Sequence, residues 1–298
     1  MPFREVKKGD KPKIVDKSKP SAHDLEPPTK QGLQLSSPAI LSLGFLALIV
    51  IGTVLLSLPI ATIQPISILA AAFTATSAVT VTGLNVVDTA NYTTFGQLVI
   101  AALIQFGGLG FMTFAILVLT SLQGKMGLSG SITAQEALGT HSNQIGSTAK
   151  AVIKIAFITE SLGFLGLTLL LAPLKGLKDA MYEAFFLCIS AFNNAGFALN
   201  GNNMTAYVHQ PMISFIISLL IITGGIGFLV ILDIIKHKRW QKFTLHTKVM
   251  VLGTLALNII GCILYWLLER HNAKTIGGLS EAGQWFASWF MAVTSRTA

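Results

Sequence analysis

The stretch TATSAVTVTGL at residues 74–84 and the stretch CISAFNNAGFA at residues 188–198 share one pattern. Each is a run of small and apolar residues that continues into polar residues and a single glycine, and a long apolar segment follows each. Glycine adopts backbone angles that other residues avoid, so both stretches predict a short helix that ends in a tight turn. The repetition of this pattern in an apolar chain raises the question of what such a turn does.

The composition is that of a membrane protein. Of the 298 residues, 52% are hydrophobic and 11% are charged, and the mean hydropathy is +0.66. The uncharged apolar runs at 41–58 and 95–119 have the length, roughly 17–25 residues, that crosses a hydrocarbon layer. The first 37 residues differ, because they carry eight Lys or Arg, five Asp or Glu and five prolines. This composition predicts a disordered basic tail and not a cleavable signal peptide.

The chain contains an internal repeat of about 110 residues, made of a spanning helix, a half-length helix, a glycine turn and a second spanning helix. Spans are predicted over 38–58, 95–121, 149–171, 211–235 and 246–268, and half-helices over 66–79, 178–192 and 281–294. Prolines stand where these helices are expected to begin or end, at Pro59, Pro65, Pro173 and Pro211.

The predicted fold is an all-α membrane protein of repeated helix, re-entrant pore-loop, helix units of potassium-channel type. Two units are complete, and the third ends at TSRTA inside its turn. The chain divides into a cytoplasmic tail, a first unit, a cytoplasmic connection, a second unit and a partial third unit, at 1–37, 38–122, 123–148, 149–237 and 238–298.

Basic residues predict the orientation in the membrane. They are concentrated in the tail and in the connection before the third unit, at Lys236, Lys238, Arg239, Lys242 and Lys248. The positive-inside rule assigns both segments, and therefore the N-terminus, to the cytoplasmic side. The half-helices then enter from the outer face and their turns lie at membrane depth, where non-helical backbone is tolerated if it lines a water-filled cavity.

A turn that faces a pore in this way favours cation binding. The C-terminal end of a helix carries a partial negative charge, and backbone carbonyl oxygens can replace the hydration shell of an ion. Neither turn contains an acidic residue, so the ligands are neutral oxygens, which favours a monovalent cation over a divalent one.

These stretches resemble the filters of the Trk/Ktr/HKT superfamily of cation transporters, and most of all a bacterial Ktr-type potassium-uptake membrane subunit. TSAVTVTGL, SAFNNAGF and SRTA stand where three filters of that family belong, and the resemblance covers 38–298. Members of the family have four units around one pore. This sequence lacks the third filter glycine and the fourth unit, so we expect residues 1–298 alone not to form a selective pore.

The resemblance implies which residues line the filter through their backbone carbonyls: Val81, Thr82 and Gly83, then Asn194, Ala195 and Gly196, then Thr297 and Ala298. Glycine at position 83 implies potassium as the permeant ion, whereas serine there goes with sodium permeation. The resemblance also implies a homodimer in the bacterial plasma membrane, docked on a ring of cytoplasmic nucleotide-binding regulatory subunits. Some such systems depend on sodium. No cofactor is expected in this chain, and no nucleic acid is expected as a partner.

A second pair of motifs lies in the inner spans, QFGGLGF at 105–111 and ITGGIGF at 222–228. Clustered glycines in membrane helices allow close packing. They also weaken a helix and permit a break that could gate the pore. Both hypotheses stay open for the six glycines concerned, Gly107, Gly108, Gly110, Gly224, Gly225 and Gly227.

Several charged residues lie within or next to the apolar runs, and four of them bear on function. Glu160 is expected to hydrogen-bond a neighbouring helix, with a direct role in transport as the alternative. Glu183 complements the dipole of its half-helix or recruits ions, and Asp233 pairs locally with Lys236 and His237. Arg296, beside a cation filter, needs a carboxylate partner that the sequence does not identify.

Two other functions compete with a potassium pore. A secondary transporter would bind an organic solute at breaks within its spanning helices. A membrane anchor would use the basic tail to bind anionic lipid, but it would have no use for repeated glycine turns. A sodium-permeable member of the same superfamily is a third alternative. The sequence has no phosphate-binding loop and no Ser, His, Asp order, so we predict that the protein is not an enzyme.

Overall fold

The computed structural model describes residues 37–123 and 145–297. All but the last residue of the predicted tail at 1–37, most of the predicted connection at 123–148 and the filter residue Ala298 lie outside these ranges. The described part of the chain is helical, and its one pairing of extended backbone is a single bridge between Thr62 and Tyr92. The helices are α1 Ser37–Leu56, α2 Ile68–Thr80, α3 Thr94–Gln123, α4 Ile145–Lys175, α5 Leu177–Phe192, α6 Pro211–Gly225, α7 Phe228–His237, α8 Leu245–Glu269 and α9 Glu281–Thr294.

Several helices have the length and composition of membrane spans. Lys150–Lys175 and Leu245–Glu269 each suffice to cross a membrane, and α6 with α7 makes a third candidate if the bent pair counts as one span. Ser42–Leu56, Ile68–Thr80 and Thr94–Gly110 are shorter apolar helices. Large apolar side chains lie on the outside, among them Phe157, which is 71% exposed. Such a surface is expected of a protein whose solvent is lipid.

The helices pack in groups that follow the repeat. The first group, α1, α2 and α3, shares a core that includes Val79, Ile100 and Ile104. The second group, α4, α5 and α6, packs around Leu167, Leu220 and their neighbours. Helix α9 lies against α6 and α8, and α3 contacts α4 and α5. The half-helices α2, α5 and α9 therefore each pack against at least two other helices.

One predicted helix end is different in the structure. The sequence predicted that α4 stops before Pro173, but the helix passes this proline and ends at Lys175. Pro173 lies in the last turn, where its missing N–H leaves a single carbonyl without its helical partner. The Gly176 N–H donates to the Ala172 carbonyl at 3.0 Å, and the helix ends four residues after the predicted end at position 171.

The predicted span over 211–235 is two helices in the structure. Helix α6 begins at Pro211 as expected but ends at Gly225, and α7 continues from Phe228 at an angle of 93°. Gly227 at the bend has a φ of +96°. Residues with side chains rarely adopt this angle, so glycine makes the sharp change of direction possible.

Candidate ion-binding site

The turns that follow α2 and α5 have the same backbone geometry. Val81 has a φ of 58° and Asn194 has a φ of 60°, although neither is a glycine. Two residues later, Gly83 and Gly196 have φ values of 75° and 73°. Left-handed backbone at two alternate positions is unusual, and its occurrence twice means that residues 77–84 and 190–197 correspond one to one.

The hydrogen bonds of the two turns correspond as well. The Thr82 N–H donates to the Ser77 carbonyl at 3.0 Å, and the Ala195 N–H donates to the Ser190 carbonyl at 2.7 Å. Each bond closes a loop between the serine carbonyl and the N–H five residues later, and the first residue with positive φ, Val81 or Asn194, lies inside this loop. The chain therefore leaves both half-helices with the same local geometry.

A serine in each half-helix holds the returning chain. The Leu84 N–H donates to the Ser77 hydroxyl oxygen at 2.8 Å, and the Ser190 hydroxyl donates to the Phe197 carbonyl at 2.6 Å. Both serines are buried. Sequence reasoning missed this pair, although its signal was visible, because each serine stands six residues before the glycine of its turn.

The two turns lie next to each other. A Cβ atom built on Gly83 would lie 2.5 Å from the carbonyl oxygen of Ala195. The third half-helix reaches the same place, because the Thr297 hydroxyl donates to the side-chain oxygen of Asn194 at 3.2 Å. The structure therefore brings together seven of the eight filter residues implied by the resemblance, and the eighth is Ala298.

A cavity of about 400 Å³ lies against the helical side of the two turns. Its walls come from both half-helix ends and from the neighbouring helices, and the lining is Phe45, Val79, Thr80, Val81, Gly108, Leu109, Phe192, Asn193, Asn194, Gly224 and Phe228. Both predicted glycine clusters therefore contribute to the same space as the predicted filter.

The first glycine of each cluster allows a close approach to a half-helix. A Cβ atom on Gly107 would overlap the Val79 carbonyl oxygen, and one on Gly224 would overlap the Phe192 carbonyl oxygen. These two carbonyls occupy equivalent positions at the ends of α2 and α5. Close packing therefore accounts for Gly107 and Gly224, while the break in the second inner helix involves Gly227.

Glu160 has a partner on a neighbouring helix. The side-chain amide of Gln105 on α3 donates to both carboxylate oxygens, at 2.9 and 3.1 Å. Gln105 in turn accepts a hydrogen bond of 2.7 Å from Asn193, the residue before the second turn. The sequence predicted an interhelical hydrogen bond for Glu160 but could not identify Gln105.

Glu183 is 5% exposed and lies in a polar cluster at the start of α5. It forms an ion pair of 2.6 Å with Lys175, accepts from the Asn200 side chain at 2.8 Å, and accepts from the Tyr207 hydroxyl. Burial and the Glu183 carboxylate both raise the pKa of Tyr207, which keeps this hydroxyl protonated as a donor. The carboxylate is thus occupied by side chains of the protein, and both predicted roles, dipole complement and ion recruitment, stay untested.

Two other charged residues have different surroundings. Asp233 pairs with His237 at 2.6 Å as predicted, but between the described residues Asp233 and Lys236 there is no ion pair. Asp233 also accepts from the backbone N–H and the hydroxyl of Thr244, before α8. Among the residues that the structure describes, Arg296 makes no ion pair, so its predicted carboxylate partner is not found there.

The described residues also contain no group of three His, Cys, Asp or Glu side chains that could hold a metal ion. The turns themselves offer carbonyl, hydroxyl and amide oxygens, which are ligands for hard cations.

Comparison with known proteins gives consistent matches. The family model of the TrkH cation transport proteins matches residues 37–298. The chain is 46% identical over 269 residues to the Ktr system potassium uptake protein B of Bacillus subtilis, across 89% of this chain and 60% of that protein. It is 41% identical over 267 residues to the Ktr system potassium uptake protein B of Vibrio alginolyticus, across 88% and 58%. It is 36% identical over 271 residues to the potassium/sodium uptake protein NtpJ of Enterococcus hirae, across 89% and 59%.

The chain spans about three fifths of the length of these relatives. The matched range begins where α1 begins and includes every described helix. The match confirms the family resemblance seen in the sequence, and with it the predicted all-α membrane fold. It also agrees with the prediction that the protein is not an enzyme, because the matched proteins are cation transporters. The chain therefore belongs to the TrkH family of cation transport proteins.

Proposed function

We propose that the full-length protein takes up potassium across the plasma membrane through a filter formed by backbone carbonyls. The observation that carries this proposal is the pair of matched turns, which have the same positive φ values and lie side by side at the ends of two half-helices. The names of the relatives, which are potassium uptake proteins in two bacteria and a potassium/sodium uptake protein in a third, support it.

The proposed mechanism uses the residues of these turns. The C-terminal ends of α2 and α5 point their partial negative charge toward the turns and attract a cation. The carbonyls of Val81, Thr82 and Gly83 then replace water around the ion together with those of Asn194, Ala195 and Gly196. Thr297 and Ala298 contribute in the same way from the third unit. That residues 1–298 alone do not form a selective pore stays a prediction, to be tested by potassium flux into vesicles that contain this chain.

The proposed topology is that of re-entrant half-helices that enter from the outside, with the N-terminus in the cytoplasm. The basic segment at 236–248, between α7 and α8, supports a cytoplasmic position for this end of the molecule. The word "system" in the names of the relatives supports further components. Following the resemblance, we propose a homodimer that docks on a cytoplasmic regulatory ring, where the nucleotide binds, and we include sodium dependence in the proposal.

The glycines of the second inner helix are the proposed gate. Gly224, Gly225 and Gly227 surround the break between α6 and α7, beside the cavity next to the filter. Helix α3 runs through Gly107, Gly108 and Gly110 without interruption, so we propose the first cluster chiefly as a packing surface.

The test of the proposed filter is Gly83→Ser in the full-length protein, with potassium and sodium uptake measured in cells that lack their own potassium importers. The φ of 75° and the nearby Ala195 carbonyl leave no room for a side chain, so serine should displace the carbonyls and admit sodium. Gly253→Ser on α8 is the control, because a Cβ atom there meets nothing within 4 Å. Unchanged ion preference in Gly83→Ser would overturn the filter assignment.

The break between α6 and α7 favours one competing function. A secondary transporter binds its solute at the ends of interrupted helices, and α6 ends in this way at Gly225. A pore and a secondary transporter differ in which solutes inhibit potassium uptake. Potassium uptake that an excess of rubidium inhibits and that amino acids and sugars leave unaffected supports the filter, and strong inhibition by one organic solute supports the secondary transporter.

A further inference from the structure

A chain of side-chain hydrogen bonds joins an acidic residue in a spanning helix to the second turn. It begins at Glu160 on α4, continues through Gln105 on α3, and ends at Asn193, the residue next to Asn194. The three residues are separated by 55 and 88 positions in the sequence. Polar side chains at this depth in a membrane protein are costly unless they are hydrogen-bonded, so the chain is a specific feature of this fold.

The carboxylate of Glu160 determines how the chain is oriented. An ionised carboxylate only accepts hydrogen bonds, so the side-chain amide of Gln105 must turn its nitrogen toward Glu160. Its oxygen is then directed at Asn193 and accepts from the Asn193 amide at 2.7 Å. The same amide of Asn193 donates to the Ile189 carbonyl at 2.9 Å. Asn193 is thereby attached both to its own half-helix and to α3.

Helix α3 also leaves space for Asn193. A Cβ atom on Gly108 would lie 3.0 Å from the Asn193 Cβ atom and closer still to the end of that side chain. Asn193 therefore fits against the backbone of α3 at Gly108, which lies three residues after Gln105. Since Asn194 is the first residue of the turn with positive φ, a shift of Asn193 would move the start of the turn.

Among the residues that the structure describes, the first turn has no such connection at the equivalent position. The residue before Val81 is Thr80, whose hydroxyl donates to the Thr76 carbonyl of its own helix at 2.7 Å and lies 3.1 Å from the Thr82 hydroxyl. The first turn is thus held by local hydrogen bonds, whereas the second turn is also held by α3 and α4.

We propose that Glu160 is a positioning residue for the ion filter. Through Gln105 it holds Asn193, and so it sets where the carbonyls of residues 194–196 stand relative to those of the first turn. This inference rests on the proposed function, because it gives Glu160 a role in the selectivity of the same filter. Glu160 does not contact the ion in this role, and its effect depends on an unbroken chain of hydrogen bonds.

The first experiment compares two substitutions of Glu160 in the full-length protein by the ratio of potassium to sodium uptake. Glu160→Leu removes the acceptor, and the ratio should fall roughly tenfold, the size expected for one hydrogen bond to a charged group. Glu160→Gln keeps an amide oxygen that accepts from Gln105, and its ratio should stay within about twofold of the unsubstituted protein. Glu281→Leu, which removes an exposed carboxylate from the first turn of α9, is the matched control.

The second experiment exchanges the two groups. Gln105→Glu alone sets two carboxylates face to face and should lower the ratio as much as Glu160→Leu. Gln105→Glu combined with Glu160→Gln should restore it, because the new carboxylate at 105 accepts both from Asn193 and from the new amide at 160. This rescue keeps the proposal testable even if Glu160→Leu fails to accumulate in the membrane.

The outcomes separate the possible roles. A purely structural role would lower protein abundance and total uptake without changing the ion ratio. The proposal is overturned if Glu160→Gln is as damaging as Glu160→Leu, or if the double exchange is no better than Gln105→Glu alone. If Gly83→Ser also leaves the ratio unchanged, the proposed filter itself fails. If only the Glu160 and Gln105 variants leave it unchanged, the filter stands and this inference fails.

Discussion

The two inner helices carry the same glycine motif and have different shapes. Helix α3 continues through QFGGLGF from Thr94 to Gln123, whereas the equivalent helix of the second unit ends within ITGGIGF and turns by 93°. The two motifs differ at three of seven residues. Glycines permit a break at this position, and other contacts of the molecule determine whether one occurs.

Contacts beyond the motif hold α7 in its direction. Phe228, the first residue of α7, is buried with its ring centroid 6.1 Å from that of Phe192, at the end of the second half-helix. Further along α7, Asp233 accepts hydrogen bonds from Thr244 before α8. These two sets of contacts fix the direction of α7 and offset the hydrogen bonds that are lost at the bend.

The largest effect is expected where the two motifs agree. Gly107→Ala and Gly224→Ala each set a methyl group into a backbone carbonyl of a half-helix, and overpacking of this kind costs about 1–3 kcal/mol or more. Both variants should unfold at a lower temperature than the unsubstituted protein in detergent. Gly253→Ala, in open space on α8, is the control and should be neutral or stabilising. A lower unfolding temperature in only one of the two variants would refute the shared packing role.

Alanine should have opposite effects at Gly110 and Gly227, which occupy the same place in the two motifs but lie in inner helices of different shape. Gly227→Ala forces alanine into a φ of +96° and should destabilise the protein by about 1–2 kcal/mol. Gly110→Ala adds a methyl group to a continuous helix with nothing within 4 Å and should stabilise it by up to about 1 kcal/mol. Thermal unfolding of the two variants measures the contrast. If the unfolding temperatures of both variants shift equally and in the same direction, the break between α6 and α7 is not maintained in the membrane.

The matched serines of the two turns provide a finer comparison. Ser77→Ala leaves the Leu84 N–H without its acceptor, and Ser190→Ala leaves the Phe197 carbonyl without its donor. Each change should cost about 1 kcal/mol. Ser190→Ala should cost more, because Phe197 is buried, whereas Leu84 is 62% exposed and water can reach its N–H. The measurement is chemical unfolding of both variants in one detergent, and the reverse order would contradict this difference in burial.

The smallest effect on stability is expected at Gly225. A Cβ atom there would lie 3.5 Å from the Asn194 side-chain oxygen, an ordinary contact, so Gly225→Ala should assemble normally. If the break acts as a gate, the rate of potassium uptake should change while the potassium to sodium ratio stays constant. Uptake assays in cells without other potassium importers give both values, and a normal rate from a normally assembled protein would argue against gating.

Much of the local structure followed from short-range patterns. The half-helix predicted over 178–192 is observed as Leu177–Phe192, and Pro211 begins α6 as predicted. The positive φ values at Gly83 and Gly196 are the kind of backbone that a lone glycine after a short helix predicts. Pro173 misled the sequence analysis, because a proline in a last turn costs only one hydrogen bond and does not have to end the helix there.

Apolar run lengths, glycine and proline positions and charge distribution were enough to identify the membrane environment, the helices and the two turns, because each depends on residues close together in the chain. The neighbouring positions of Gly83 and Ala195, the partner of Glu160 and the bend after Gly225 came only from the folded molecule. These features join residues more than 50 positions apart or depend on which of two similar helices has packing partners, and no local propensity encodes that choice. Side chains from separate units meet only when the helices pack, so the surroundings of the proposed filter are a property of tertiary structure.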